Sequence, residues 1–327
     1  MRSKEAVRCP APVGGAGHLS EVPGTYRMGI SFTRSPAGIS LFEMAIRTLF
    51  EFIKFPHTLF ALPFAMMAYL VACEGKIDPL HLLPVLVAMV AARTAAMTYN
   101  RIVDREIDAR NPRTRDRALV TGELALRSAW LLLSGSSVLF LAAAWFLGRL
   151  PFICAPFVLA VLFLYSYTKR FTDLSHFILG FCLGMAPMGA WIAVRGSLGI
   201  APVVLALGVL LWTAGFDLIY ACQDIEVDRS QGLRSMAARL GAGRALLISA
   251  ILHFLCLPPF IIFGILSGLG FFYTIGTVIA AVFLVYQHVI ISPTDLSRAD
   301  RAFFAGNGAM SVVLFLFAAL DLYKGSG

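Results

Sequence analysis

Nine apolar segments of about 20 residues leave this chain few folds to choose from. They run at 55–73, 80–99, 128–147, 150–167, 175–194, 201–222, 245–266, 269–290 and 302–322. Each matches the ~20 residues an α-helix needs to cross hydrocarbon. Inside a bilayer, a segment with no partner strand must satisfy its own backbone N–H and C=O groups, so helices are the expected spanning unit. Composition agrees, since 58% of the 327 residues are apolar and 14% are charged, against about 25% charged in a soluble domain. An all-α polytopic membrane protein follows, and an ordinary water-soluble enzyme is excluded. Pro63, Pro156 and Pro187 fall inside spans, where neighbouring helices can satisfy the freed carbonyls. The six cysteines stand singly with no CxxC pair, so they form neither a disulfide framework nor a zinc site and are expected to pack as small apolar residues.

Residues 1–40 break the apolar rule, being rich in Gly, Pro, Ser and Arg. No apolar run of signal-peptide length follows the early charges. The stretch reads as a disordered tail, with Met28 and Met44 as alternative starts, and 41–327 as one membrane domain. From Leu41 to Lys54 the pattern becomes amphipathic, as in a helix lying on a membrane surface. Lysine and arginine then set the orientation. Twenty-two lie in residues 1–54 and in the loops at 100–127, 169–170, 223–244 and 298–301, against four on the other side, with Arg93 inside a span. This imbalance places the tail and those loops in the cytoplasm and the C-terminus across the membrane. It also accounts for the net charge of +8 without nucleic acid. The expected location is the inner (cytoplasmic) cell membrane.

The two largest of these loops hold most of the chemistry. Asn100, Asp104 and Asp108 repeat every four residues, and Asp217, Asp224 and Asp228 follow a related spacing, since seven residues is close to two full turns. Both sets therefore lie along one face of a helix leaving the membrane. Asp104–Asp108 and Asp224–Asp228 share the pattern DxExD, which hints at a duplicated half. Asp217 lies within an apolar span, where a carboxylate costs ~2.5–3.5 kcal/mol on insertion scales. Like charges at i,i+4 also repel. A divalent cation resolves both problems, and carboxylates at this spacing suit Mg²⁺, which shares its remaining sites with water and phosphate. Arg101, Arg110, Arg113, Arg115 and Arg117 crowd the first loop, and Lys169 and Arg170 close the fourth span; about half need be no more than topology charges. Arg93, seven residues before Asn100 on the same face, reads as a cavity-lining ligand for phosphate or carboxylate.

Asn100-x3-Asp104-x3-Asp108 with Asn111-Pro112-Arg113-Thr114-x2-Arg117 resembles the first signature of the UbiA superfamily of intramembrane aromatic prenyltransferases. Asp217-x2-Tyr220-x3-Asp224-x3-Asp228 resembles the second, and Tyr165-x3-Lys169 the YxxxK element between them. The likeness covers roughly residues 45–325. Arg101 departs from many members, which carry Asp there; the NRxxDxxxDxxNPRT form is similar to 4-hydroxybenzoate prenyltransferases and to the futalosine-route menaquinone enzymes.

The resemblance implies nine helices around a central cavity with cytoplasmic cap loops. The reaction it implies is Mg²⁺-dependent transfer of a polyprenyl chain from its diphosphate to a ring carbon of an aromatic acid, in ubiquinone or menaquinone synthesis. Asp104, Asp108, Asp224 and Asp228 would then hold metal, with Asn100, Arg101, Tyr165, Lys169, Asp217 and Tyr220 around the substrates. Lys54, His57 and Arg93 are the candidates for the acceptor carboxylate. The other histidines (His18, His81, His176, His253, His288) fall at span ends or alone, with no HxxxH spacing. A 1,4-dihydroxy-6-naphthoate acceptor is the alternative substrate. A membrane transporter is the alternative class, disfavoured because the charges gather at one mouth instead of the midplane. No obligate protein partner is legible.

Overall fold

The computed structural model describes residues 58–299 and 306–325; the tail, the amphipathic stretch, Lys54 and His57 lie outside the described residues. Every named element among the described residues is helical. Eight helices are long and apolar enough to cross a membrane, and a ninth, shorter apolar helix precedes them. This is a multi-pass membrane protein, and the expected spans correspond to these nine helices.

In chain order the apolar helices are α1 (Thr58–Ala72), α2 (Pro79–Val103), α5 (Leu126–Phe146), α6 (Arg149–Thr168), α7 (Ser175–Arg195), α8 (Ile200–Ala221), α11 (Ala242–Leu266), α12 (Phe271–Val289) and α13 (Asn307–Gly325). Short helices fill the two large loops: α3 (Arg105–Arg110) and α4 (Ala118–Thr121) in the first, α9 (Ile225–Ser230) and α10 (Met236–Leu240) in the second. Local chemistry sets the ends. Asp78 accepts a hydrogen bond from the Leu80 N–H and Pro79 opens α2, a favoured N-terminal pair. Gly196, in the left-handed region at φ 64°, ends α7. Pro63, Pro156 and Pro187 stand inside α1, α6 and α7.

The helices pack as a ring in which α2, α5, α6, α7, α8, α11, α12 and α13 follow one another and α1 packs on α7 and α13. The α7–α8 seam is unusually close. A Cβ at Gly180 would lie 2.4 Å from the Leu210 carbonyl oxygen, and one at Gly184 2.8 Å from that of Ala206. Only glycine allows that approach. Behind the seam, α1, α8 and α11 close an aromatic core, with Phe64 stacked on Phe260 at 5.6 Å and tilted on Trp212 at 5.1 Å. The Trp212 indole N–H donates to the Asn307 side chain at 2.9 Å, tying α8 to α13. This dense half supports a more open one, formed by α2, α5, α6, α7 and one face of α8, that surrounds a cavity.

Candidate active site

The cavity has a volume of about 430 Å³. Along α2 its lining runs Val85, Ala88, Met89, Ala92, Arg93, Ala96, Met97, Asn100, Arg101 and Asp104, a stripe at helical spacing. From Val85 to Asp104 that stripe rises roughly 28 Å at 1.5 Å per residue, nearly the depth of a bilayer core. Alanines and methionines line the deep end; the charges gather at the loop-covered mouth.

Both acidic motifs are built in the same way. At Asp104 the backbone turns to φ −93°, ψ 9°, and at Asp224 to φ −106°, ψ 7°. Each aspartate ends one helical segment and begins a six-residue helix, α3 or α9, that carries the second carboxylate. The expected continuous helical face is therefore bent at the first aspartate of each pair. The bend turns Asp108 and Asp228 into the protein, where they are 6% and 3% exposed. The two DxExD segments share this local backbone.

The Asn111–Arg117 turn stitches the two motifs together. Asn111 accepts from the Arg113 N–H at 2.9 Å, and the Thr114 hydroxyl donates to the Asp108 carbonyl at 3.0 Å. Arg113 reaches the second motif, donating through Nε to Asp224 Oδ1 at 3.0 Å and pairing through Nη2 with Asp224 Oδ2. It also donates to the Tyr220 hydroxyl and stacks on that ring at 4.7 Å. Arg117 pairs with Asp108 at 2.5 Å, with Arg101 on the same carboxylate at 3.9 Å. Arg170 donates to Asp104 at 3.1 Å, and Asn100 donates to the same carboxylate at 2.8 Å. Asp228 accepts from the Ser235 hydroxyl at 3.0 Å. Arg110 and Arg115 point to the exterior, as topology charges do.

Two titrating groups at the mouth report the local field. Burial, and then the neighbouring Asp108, hold the Asp104 carboxyl above its ordinary range. Burial works against the Lys169 ammonium, but Asp228, Asp217, Asp224 and Asp104 outweigh it and raise its pKa. Lys169 thus sits as a fixed positive charge between the two motifs.

Deeper in the cavity lie Arg93, Tyr165 and Asp217. The Arg93 Nε is buried without a hydrogen-bond partner. Tyr165 lies within electrostatic reach of both Asp217 and Arg93. Asp217 accepts from His176 Nδ1 at 2.6 Å, a contact the sequence does not announce, because His176 reads there as a lone histidine at a span end. Asn100, Arg101, Lys169, Tyr220, Asp104, Asp108, Asp224 and Asp228 all border the same cavity.

A profile of the UbiA prenyltransferase family matches residues 61–315. The chain belongs to that family. A 4-hydroxybenzoate octaprenyltransferase of Nitrosococcus oceani is 32% identical over 251 residues, which is 76% of this chain and 87% of that protein. Among solved structures, a UbiA homolog from Aeropyrum pernix K1 superposes with a TM-score of 0.70 at 31% identity, over 83% of this chain and 98% of its own. A UbiA homolog from Archaeoglobus fulgidus, bound to GPP and Mg²⁺, shares the fold at 18% identity and a TM-score of 0.60, over 82% of this chain and 99% of its own. As a UbiA protein, this chain has its three motifs on one cavity, and the transporter reading falls away.

Proposed function

We propose that this UbiA protein transfers a polyprenyl chain from polyprenyl diphosphate to a ring carbon of 4-hydroxybenzoate or a closely similar aromatic acid, in quinone synthesis. One observation supports this reading above the others: a single cavity joins a mouth of carboxylates and cations to a deep apolar stripe. A diphosphate suits the mouth and an isoprenoid tail suits the stripe.

Ionising an allylic diphosphate places charge on the leaving pyrophosphate, and preformed positive groups are what stabilise it. Lys169, Arg113, Arg117, Arg101 and Arg170 border the mouth beside the carboxylates. Among the described residues no three acidic or histidine side chains converge on one point. The donor set instead offers two carboxylate pairs, Asp104 with Asp108 and Asp224 with Asp228, of the hard-oxygen type that suits Mg²⁺ sharing ligands with a diphosphate. Those four residues would hold it, and Mg²⁺ there would supply Lewis-acid stabilisation of a departing diphosphate. Around it Asn100 orients the Asp104 carboxylate, Arg113 orients Asp224, and Tyr220 is set by Arg113.

Arg93 is the fit for the acceptor carboxylate. A guanidinium with a buried, unpartnered Nε inside a span is costly until an anion fills it. Asp217, which lines the same cavity as Tyr165 and Arg93, would meet the acceptor's hydroxyl. The Ala and Met walls keep water from the allylic cation until the ring reaches it. The positive charge of the loops supports a mouth that opens to the cytoplasm, in an inner membrane, with the C-terminus on the other side.

Membranes containing the protein, given one polyprenyl diphosphate and either 4-hydroxybenzoate or 1,4-dihydroxy-6-naphthoate, test the reading by product mass. Prenylated hydroxybenzoate is the expected product; prenylated naphthoate alone overturns the acceptor, and no prenylated acid overturns the function. Arg93→Ala should raise the KM for the acid more than tenfold while leaving that for the diphosphate near wild type.

A further inference from the structure

Asp217 is held by one contact that no motif explains. His176 opens α7, one residue inside its start, and is 1% exposed; its Nδ1 lies 2.6 Å from Asp217 Oδ2. The α7–α8 seam sets this meeting. Gly180 lies against Leu210 and Gly184 against Ala206, an antiparallel register that carries His176 level with Ala214, within one turn of Asp217. The other ring nitrogen, Nε2, is buried with no partner among the described residues. A proton on Nδ1 makes the ring the donor and the carboxylate the acceptor in this contact. That proton fixes Oδ2 and leaves Oδ1 as the carboxylate oxygen for a ligand. Among the described residues, the other ionisable groups that act on Asp217 include Lys169 and Tyr165 from α6 and its end, and Arg113 from the cap. Without His176, the carboxylate is free to turn toward those cations.

We propose that His176 is a positioning residue for prenyl transfer, aiming Asp217 Oδ1 at the hydroxyl of the acceptor; this rests on the functional reading above. In the step concerned, the allylic C–O bond breaks with its electron pair leaving on pyrophosphate. A ring π pair forms the new C–C bond, and the phenolic O–H pair flows into the ring as Asp217 takes that proton. The dienone so formed loses its ring-carbon proton to pyrophosphate and recovers the hydroxyl proton from Asp217, so that one proton is released overall. A carboxylate turned away would leave the phenolic proton in place and the ring less electron-rich at the moment of attack.

The test uses the full chain in lipid nanodiscs with a polyprenyl diphosphate and a series of ring-fluorinated 4-hydroxybenzoates of rising phenol acidity. A misplacement of about 1 Å in a reacting group can cost about 10²-fold. His176→Phe should therefore lower kcat by that factor on 4-hydroxybenzoate, with the KM for the diphosphate within twofold of wild type. Its deficit relative to wild type should shrink as the phenol becomes more acidic, because a proton that leaves unaided needs no aimed base. His176→Gln keeps an N–H donor and should recover part of the rate; it also serves if the Phe variant does not fold. A deficit equal across all acceptors, or one carried by the diphosphate KM, overturns the proposal while the wild-type activity stands. A wild-type protein silent on every hydroxylated acid overturns the functional reading and this proposal together.

Discussion

Arg113 and Asp224, 111 residues apart in sequence, meet through two guanidinium nitrogens and both carboxylate oxygens. This fork-to-fork contact ties the first cap loop to the second motif, and planar bidentate geometry is the feature lysine cannot copy. Arg113→Ala should lower kcat/KM for the prenyl diphosphate about 10²-fold, with Arg113→Lys recovering only part. Steady-state kinetics with the diphosphate varied distinguishes this from a loss confined to the aromatic acid.

The four motif carboxylates lead to a second expectation. Asp104→Ala, Asp108→Ala, Asp224→Ala and Asp228→Ala should each cost about 10²–10³-fold or more in rate while leaving membrane insertion intact. Binding of an unreactive prenyl thiodiphosphate, followed by calorimetry, should need Mg²⁺ in the wild type and lose that dependence in the variants. Full turnover in EDTA-treated membranes would remove the metal from the site.

Lys169 separates a working cation from a topology charge. Its position among Asp228, Asp217, Asp224 and Asp104 is that of a compact point charge, which under the proposed function would bind the diphosphate. Lys169→Arg should be impaired and Lys169→Gln more so, with the loss seen on the diphosphate and not on the aromatic acid. Wild-type kinetics in Lys169→Gln would return the residue to the positive-inside tally, where Arg170 already stands beside it.

The orientation is tested with fusions. Reporters inserted near Asn111 and Gln231 should be cytoplasmic, and one following Lys324 should be on the far side. A cytoplasmic reporter after Lys324 would mean that one of the nine helices does not cross.

How far the site was legible depended on whether its chemistry was local. Asp104, Asp108, Asp224 and Asp228 stand out because four-residue spacing and like-charge repulsion are visible within one helical turn or two. Asp217 and Arg93 stand out because a charge inside an apolar span is costly wherever its partner lies. The fold follows from span length alone. The pairing of Arg113 with Asp224 and of Arg117 with Asp108 was hidden, since it depends on how residues 111–117 turn back over the mouth. The bend at Asp104 and Asp224 was also hidden, because the spacing is equally compatible with straight helices. His176 was missed for the same reason: its partner is 41 residues away, and nothing beside it in sequence marks it. Lys54 and His57 lie outside the described residues; Arg93 is the candidate within them that we propose as the acceptor's ligand.

The glycine seam between α7 and α8 has one more implication. With backbone resting on backbone at Gly180 and Gly184, the distance between the helices carrying His176 and Asp217 is set by main-chain contact and has no soft side chain to absorb change. A single methyl group at Gly180, a turn away from the histidine and remote from the diphosphate, would act as a wedge. It would displace the aim of a carboxylate as well as loosen the seam, so an alteration in plain structural packing would register in kinetics together with melting temperature.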